Sequence, residues 1–239
     1  MDWKTVKNGG RILIDAKIPD GKSVRITNDL LKEFLLQFIR ASRKFYEFAG
    51  EMPFEYKEKQ LNTTVFSAFS NAGDIAFLEQ PVTRRCETNV GKNGWLDYWV
   101  LYRNTVFLIE LKHHFNALAT PSIRSDGVAK WKTAAMQVQS VTNLEDLCGN
   151  VNGIVKLALM IVVNYEGSKD INKLKTKNSK ELRGVPLDQY KCFVRDLSPS
   201  PNWSATWHLH PALRGRREFQ GGRCEIYPTV DFFALADVI

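Results

Sequence analysis

The 239-residue chain has no apolar run of the roughly 20 residues needed to cross a bilayer as a helix. Its opening, Met1-Asp2-Trp3-Lys4, lacks the make-up of a secretion signal, so neither membrane insertion nor export is expected. Cysteine is scarce: Cys86, Cys148, Cys192 and Cys224 are scattered, with none of the paired spacings that hold zinc. They read as reduced, packed thiols of a cytoplasmic protein and not as a disulfide framework. No linker demands a division, so residues 1–239 read as one domain. Acidic residues are the minority, 26 against 33 Lys and Arg, for a formal net charge of +7. That balance fits a polyanionic partner, because each phosphate neutralised by Lys or Arg releases a counterion.

What is present is concentrated in two apolar segments with a short polar break between them. The first reads Trp95-Leu96-Asp97-Tyr98-Trp99-Val100-Leu101-Tyr102 and the second Thr105-Val106-Phe107-Leu108-Ile109-Glu110-Leu111-Lys112. Their β-branched and aromatic content predicts a hairpin that turns at Arg103-Asn104. Such a turn sets Asp97 opposite Glu110, and side-chain alternation puts Lys112 on the same face. Carboxylates so opposed have Cβ atoms about 5 Å apart and repel. A divalent cation offsets the repulsion, since Mg²⁺ is held by one or two carboxylates together with waters and phosphate oxygens. Lys112 adds a movable positive charge beside it. The run from Val106 to Leu111 is apolar on both faces, which predicts a buried central strand with charge at its tip.

On either side stand two helical patterns. From Glu55 to Asn71, the residues Leu61, Val65, Ala68 and Phe69 recur at helical spacing, and Glu58 lies one turn before Leu61 on that buried face. Asn71-Ala72-Gly73-Asp74 ends the helix, and Ile75 to Arg85 reads as a strand that Pro81 confines to an edge. Residues 128–147 read as a second helix through Trp131, Ala134, Ala135, Val138 and Val141, with Gln137 beside its apolar stripe. Leu157 to Tyr165 is a continuous apolar run that predicts a fourth, buried strand.

Leu96-Asp97 followed by Glu110-Leu111-Lys112 resembles the PD-(D/E)xK signature of the restriction-endonuclease-like nucleases, with Leu96 in place of the family's proline. The resemblance covers residues 55–165. It implies an α/β fold with a mixed central sheet flanked by helices, an α-β-β-β-α-β core, and N- and C-terminal elaborations over residues 1–54 and 166–239. It implies a metal-dependent hydrolase of phosphodiester bonds, with Mg²⁺ or Mn²⁺ held by Asp97, Glu110 and the main-chain carbonyl of Leu111. Glu58 matches the family's acidic residue on the first core helix, with Glu55 and Glu79 open as alternatives. Lys112 and Gln137 match the residues that position the attacking water. Val141 stands where exonuclease-like members carry a tyrosine, so endonuclease action is the expectation. Symmetric cutting of a duplex would favour a homodimer, with the oligomeric state otherwise open.

The basic residues are grouped. Lys169, Lys173, Lys175, Lys177, Lys180 and Arg183 form one group, Arg214, Arg216, Arg217 and Arg223 another, and Arg84 and Arg85 end the first strand. They point to DNA as the partner, with RNA left open because charge does not separate the two. The alternative class is a non-catalytic nucleic-acid-binding subunit of a larger assembly that keeps the nuclease fold. At the N-terminus, Arg11 to Ile18 and Ser23 to Ile26 flank a Pro19-Asp20-Gly21-Lys22 turn and read as a hairpin. Asn28 or Asp29 then caps an amphipathic helix bearing Leu30, Leu31, Phe34, Leu35, Phe38 and Ile39. The C-terminal part, with Trp203, Trp207, Phe232 and Phe233, is expected to add strands on the sheet's far side. His208 and His210 share a strand face but lack a cysteine or acidic partner for a metal. His113 and His114 follow Lys112 and are expected to have structural or phosphate-contact roles.

Overall fold

The structure is a computed structural model that describes residues 2–18, 22–85, 91–169, 174 and 185–239. Nine strands form one mixed, mostly antiparallel sheet, and five α-helices accompany it among the described residues. In chain order the elements are β1 (Lys4–Val6), β2 (Gly10–Ala16), α1 (Lys22–Ala49), α2 (Glu58–Ala72), β3 (Ile75–Arg84), β4 (Lys92–Tyr102) and β5 (Thr105–Ala117). There follow α3 (Ser125–Gln139), α4 (Leu144–Cys148), β6 (Gly153–Ser168), α5 (Val185–Asp196), β7 (Trp203–Leu209), β8 (Arg216–Glu218) and β9 (Cys224–Val238). The strand order is β1-β2-β7-β9-β6-β5-β4-β3, with β8 paired to β9.

The hairpin forms at the expected place. Arg103 and Asn104 both have positive φ, 48° and 57°, the conformation that joins two strands through two residues without splaying them. The pairing then runs from Tyr102↔Thr105 to Tyr98↔Ile109. β5 pairs in parallel with β6, and that geometry needs a long crossover, which α3 and α4 supply. β3 is the outer strand, so Pro81 removes no hydrogen bond from an inner ladder.

Both faces of β5 are covered, which explains its unbroken apolar run. Phe107, Ile109 and Leu111 face α1 and α2 through Phe34, Leu61, Val65 and Phe69, while Val106 and Leu108 face Trp131, Ala134 and Val138 of α3. Phe34 stacks on Phe69 with ring centroids 4.2 Å apart. Each such fully buried side chain contributes about 1.5–3 kcal/mol.

Several expectations are corrected. Ser23 to Ile26 is not a strand but the first turn of α1, where Thr27 Oγ1 donates back to the Ser23 carbonyl at 2.8 Å. Its alternation misleads because Val24 and Ile26 both rest against the core from one helical turn. β2 pairs instead with β1 and β7, and the Pro19-Asp20-Gly21 turn lies outside the described residues. Asn28 and Asp29 are therefore inside the helix and cap nothing; Asp29 pairs with Arg103 at 2.8 Å. Residues 128–147 are not one helix. α3 stops at Gln139, and the segment after it crosses to β3 through an Arg84↔Val141 bridge and Thr142 N–H to Thr83 carbonyl at 2.9 Å. The Lys156 ammonium holds the carbonyls of Gln139 and Val141 at that break. α2 begins at Glu58, and Glu55 belongs to a preceding 3₁₀ turn, Pro53–Glu55. The C-terminal part does add strands on the sheet's far side: β9 pairs with β6 and β7 with β9, extending the sheet beyond the fourth core strand. Cys86, Lys173, Lys175, Lys177, Lys180 and Arg183 lie outside the described residues. Among the described residues no helix is long and apolar enough to cross a membrane.

Candidate active site

The site begins where β4 parts from β5. Pairing between them ends at Tyr98↔Ile109, whereas β4 goes on pairing with β3 as far as Lys92. Asp97 and Glu110, the next pair in that register, are thus not joined through the ladder. The Asp97 side chain takes the place of the lost backbone partner, its Oδ2 accepting from Leu111 N–H at 2.7 Å. The next N–H on the same edge of β5, two residues on, belongs to His113, and it donates to Glu58 Oε2 at 2.8 Å. Asp97 from β4 and Glu58 from the first turn of α2 therefore sit side by side along the freed edge. Both carboxylates, after burial, push the Tyr98 hydroxyl between these elements well above its ordinary value.

Lys112 brings the charges together. Its Nζ donates to the Leu111 carbonyl at 2.9 Å and lies 3.9 Å from Glu110 Oε2 and 4.0 Å from Asp97 Oδ2. The side chains are graded in exposure, 2 % for Glu110, 18 % for Lys112 and 31 % for Asp97, so the cluster is anchored inside and opens to solvent on the Asp97 side.

Arg84, read from the sequence only as a basic residue ending a strand, is part of the same cluster. Its Nη2 donates to Glu110 Oε1 and to the Trp95 carbonyl, and its Nη1 donates to the Gln137 carbonyl near the C-terminus of α3. Gly94 on the neighbouring strand leaves room for it, since a Cβ there would lie 2.8 Å from Arg84 Nε. That glycine, set in a strand of bulky residues, was the available signal. Burial first, then Asp97, raises the Glu110 carboxyl to about 7, against the opposing pull of Arg84 and Lys112.

Gln137 is joined to the cluster through its main chain. Its side-chain Oε1 is buried without a hydrogen-bond partner among the described residues, so the amide is not engaged with Lys112 or Asp97. Glu55 is not at the site. Its Oε1 accepts from Met52 N–H at 3.0 Å, and its carbonyl is held by Arg217, because the 3₁₀ turn before α2 directs it away from Glu58. Glu79 is exposed and has φ 51°, at the point where the β3–β4 register skips Asp97, and among the described residues it forms no hydrogen bond or ion pair with the cluster. That conformation costs a non-glycine residue on the order of 1–2 kcal/mol.

The histidines take no part in the cluster through their rings. Burial lowers His113 to about 3 and His114 to about 4, so both rings are neutral. His210 Nδ1 accepts from Ala212 N–H, and His208 Nε2 meets Arg214 at 3.3 Å. Among the described residues no three His, Cys, Asp or Glu side chains are grouped to hold a metal ion. The donor set at Lys112 is smaller: two carboxylates and one carbonyl around a single position of positive charge. No family model, curated protein or solved structure matches the chain.

Proposed function

We propose that the protein is a metal-dependent nuclease of the PD-(D/E)xK type, hydrolysing phosphodiester bonds of DNA as an endonuclease. The observation that carries this reading is the convergence of Asp97, Glu110 and the Leu111 carbonyl within 4.0 Å of the Lys112 ammonium. The run of elements α2-β3-β4-β5-α3-β6 around it agrees with the restriction-endonuclease-like core. These oxygens suit Mg²⁺ or Mn²⁺: they are hard donors, and the position already stabilises one positive charge.

Asp97, Glu110 and the Leu111 carbonyl would hold the ion, with Glu58 acting through water. When bound, the ion lowers the pKa of a coordinated water and offsets charge on the phosphate. Arg84 pairs with Glu110 and favours the ionised carboxylate against burial. Lys112 supplies a movable cation for the attacking water and the charged phosphoryl oxygens. The amide of Gln137 can orient water without changing charge.

The test is incubation with circular, linear and single-stranded DNA and with RNA, with and without Mg²⁺ or Mn²⁺. Metal-dependent nicking of plasmid DNA, lost in Asp97→Ala and in Lys112→Ala, is the expected result. Full activity in both variants excludes the assignment.

One observation favours a second reading, a non-catalytic nucleic-acid-binding subunit. Arg84 and Lys112 together offset the charge of Asp97 and Glu110 without any metal ion. That reading expects DNA retention with steep salt dependence and no cleavage under any metal.

A further inference from the structure

A cavity of about 640 Å³ opens beside α2 on the side of Glu58. Lys57 and Gln60, which flank Glu58 in sequence, line it, as does Phe115, two residues beyond His113 on β5. Its walls alternate flat apolar rings with guanidinium groups. The Arg217 Cζ lies 5.3 Å from the ring centroids of both Tyr56 and Phe219, and Arg223 lies 5.7 Å from that of Tyr165. Rings and guanidinium planes together are surfaces on which unstacked bases rest, while the same arginines attract the neighbouring phosphates.

The polar groups narrow the ligand further. Glu225 is satisfied, Oε1 by Arg223 at 2.7 Å and Oε2 by the Tyr227 hydroxyl at 2.9 Å. Glu55 is not. It is 2 % exposed, Met52 N–H occupies Oε1, and Oε2 is buried with no hydrogen-bond partner among the described residues. An acceptor left in that state costs about 1–3 kcal/mol. A bare phosphate would not relieve it, because it brings only acceptors to a carboxylate. A base edge that carries donors would.

Guanine alone among the four DNA bases presents two adjacent donors, its ring N1–H and its exocyclic amino group. Adenine and cytosine place an amino group beside a ring acceptor, and thymine flanks its single N–H with two carbonyls that a carboxylate repels. We infer that the cavity receives an unstacked guanine of the bound strand, its donor edge on Glu55 and its face against the Tyr56–Arg217–Phe219 layer. The inference rests on the nucleic-acid substrate proposed above and gives the protein a base preference beside its cleavage site.

The test is calorimetric titration of the full chain at pH 8.5, where Glu55, raised to about 7 chiefly by burial, is ionised, in EDTA, with dGMP, dAMP, dCMP and dTMP. dGMP is expected to bind at least about tenfold more tightly than dTMP, the weight of one charge-assisted hydrogen bond. Glu55→Gln removes that preference, and Phe219→Ala, at an exposed ring, weakens all four nucleotides alike. An oligothymidylate carrying one guanine is expected to bind more tightly than the all-thymine strand. Equal binding of the four nucleotides, an unchanged preference in Glu55→Gln, or no gain from guanine within a strand overturns the inference. Because no metal is present, a retained dGMP preference in a protein that cleaves nothing overturns the nuclease reading alone. Cleavage without the preference overturns the pocket alone.

Discussion

Asp97 and Glu58 accept hydrogen bonds from the two successive N–H groups, Leu111 and His113, that β5 exposes once β4 has left it. A strand edge that would otherwise need a further strand is closed by two carboxylates from different elements. The same act that satisfies the backbone gathers negative charge beside Lys112. Fold and candidate chemistry are thus coupled at two hydrogen bonds.

The coupling can be separated at Glu58. Glu58→Gln keeps an oxygen for the His113 N–H and removes the charge, so unfolding free energy is expected to stay within about 1 kcal/mol of the parent. Mg²⁺-dependent DNA cleavage is expected to fall at least tenfold. Glu58→Ala loses the hydrogen bond as well and should be less stable by about 1–3 kcal/mol. Urea unfolding and a plasmid assay on both variants decide it; undiminished cleavage by Glu58→Gln would leave Glu58 as a strand anchor only.

Arg84 and Glu110 form an ion pair of which the carboxylate is 2 % exposed. Arg84→Ala leaves that carboxylate with Lys112, 3.9 Å away, as its remaining cationic partner, a loss of up to about 3–5 kcal/mol for a buried pair. The loss is expected to be smaller at pH 5 than at pH 8, because Glu110, already raised to about 7, protonates and no longer needs a partner. Arg84→Ala combined with Glu110→Gln should recover part of the stability at pH 8. Strictly additive losses in the double-mutant cycle would show that the pair is not coupled.

Much of this was readable in the chain, and the misses have physical reasons. The β4–β5 hairpin was legible because a two-residue polar break, Arg103-Asn104, separates two runs rich in β-branched and aromatic residues. Glu58 was legible from its phase with Leu61. Arg84 was not, because its role depends on β3, β4, β5 and α3 meeting, and no local pattern reports a four-element contact. The end of α3 was missed because Val141 continues the helical stripe in sequence, while tertiary pairing with Arg84 pulls it into an extended bridge. Ser23 to Ile26 failed for the opposite reason: four residues cannot distinguish alternation from one helical turn.

Gly94 offers an independent handle on Arg84. A methyl group there would meet Arg84 Nε at 2.8 Å and Cδ at 3.3 Å, so Gly94→Ala pushes the guanidinium away from Glu110 without touching either charge. Its effect on stability and cleavage is expected to copy that of Arg84→Ala, at smaller amplitude. On the Arg84→Ala background it should add little. A full additional loss in the double variant would mean that the glycine serves the β3–β4 pairing instead.

Asp231 sets a pH dependence away from the site. It is 2 % exposed, accepting from Thr206 Oγ1 and Asn164 Nδ2 at 2.7 Å each, and burial raises its carboxyl to about 7 in spite of those bonds. The folded state therefore keeps this proton up to about pH 7, whereas the unfolded chain gives it up near pH 4. Between those values the folded state binds more protons, so stability falls as pH rises, by up to about 1.4 kcal/mol per pH unit for one such group. The contribution is fully present below pH 4 and gone above about 7. Glu55 and Glu110, also raised to about 7 with burial as the largest cause, act in the same direction over the same window. Asp231→Asn removes one of the three, so its stability relative to the parent should rise steadily from pH 4 to pH 7 and then level off. Urea unfolding at successive pH values measures this directly, and parallel curves for the two proteins would show that Asp231 is ionised in the folded state throughout.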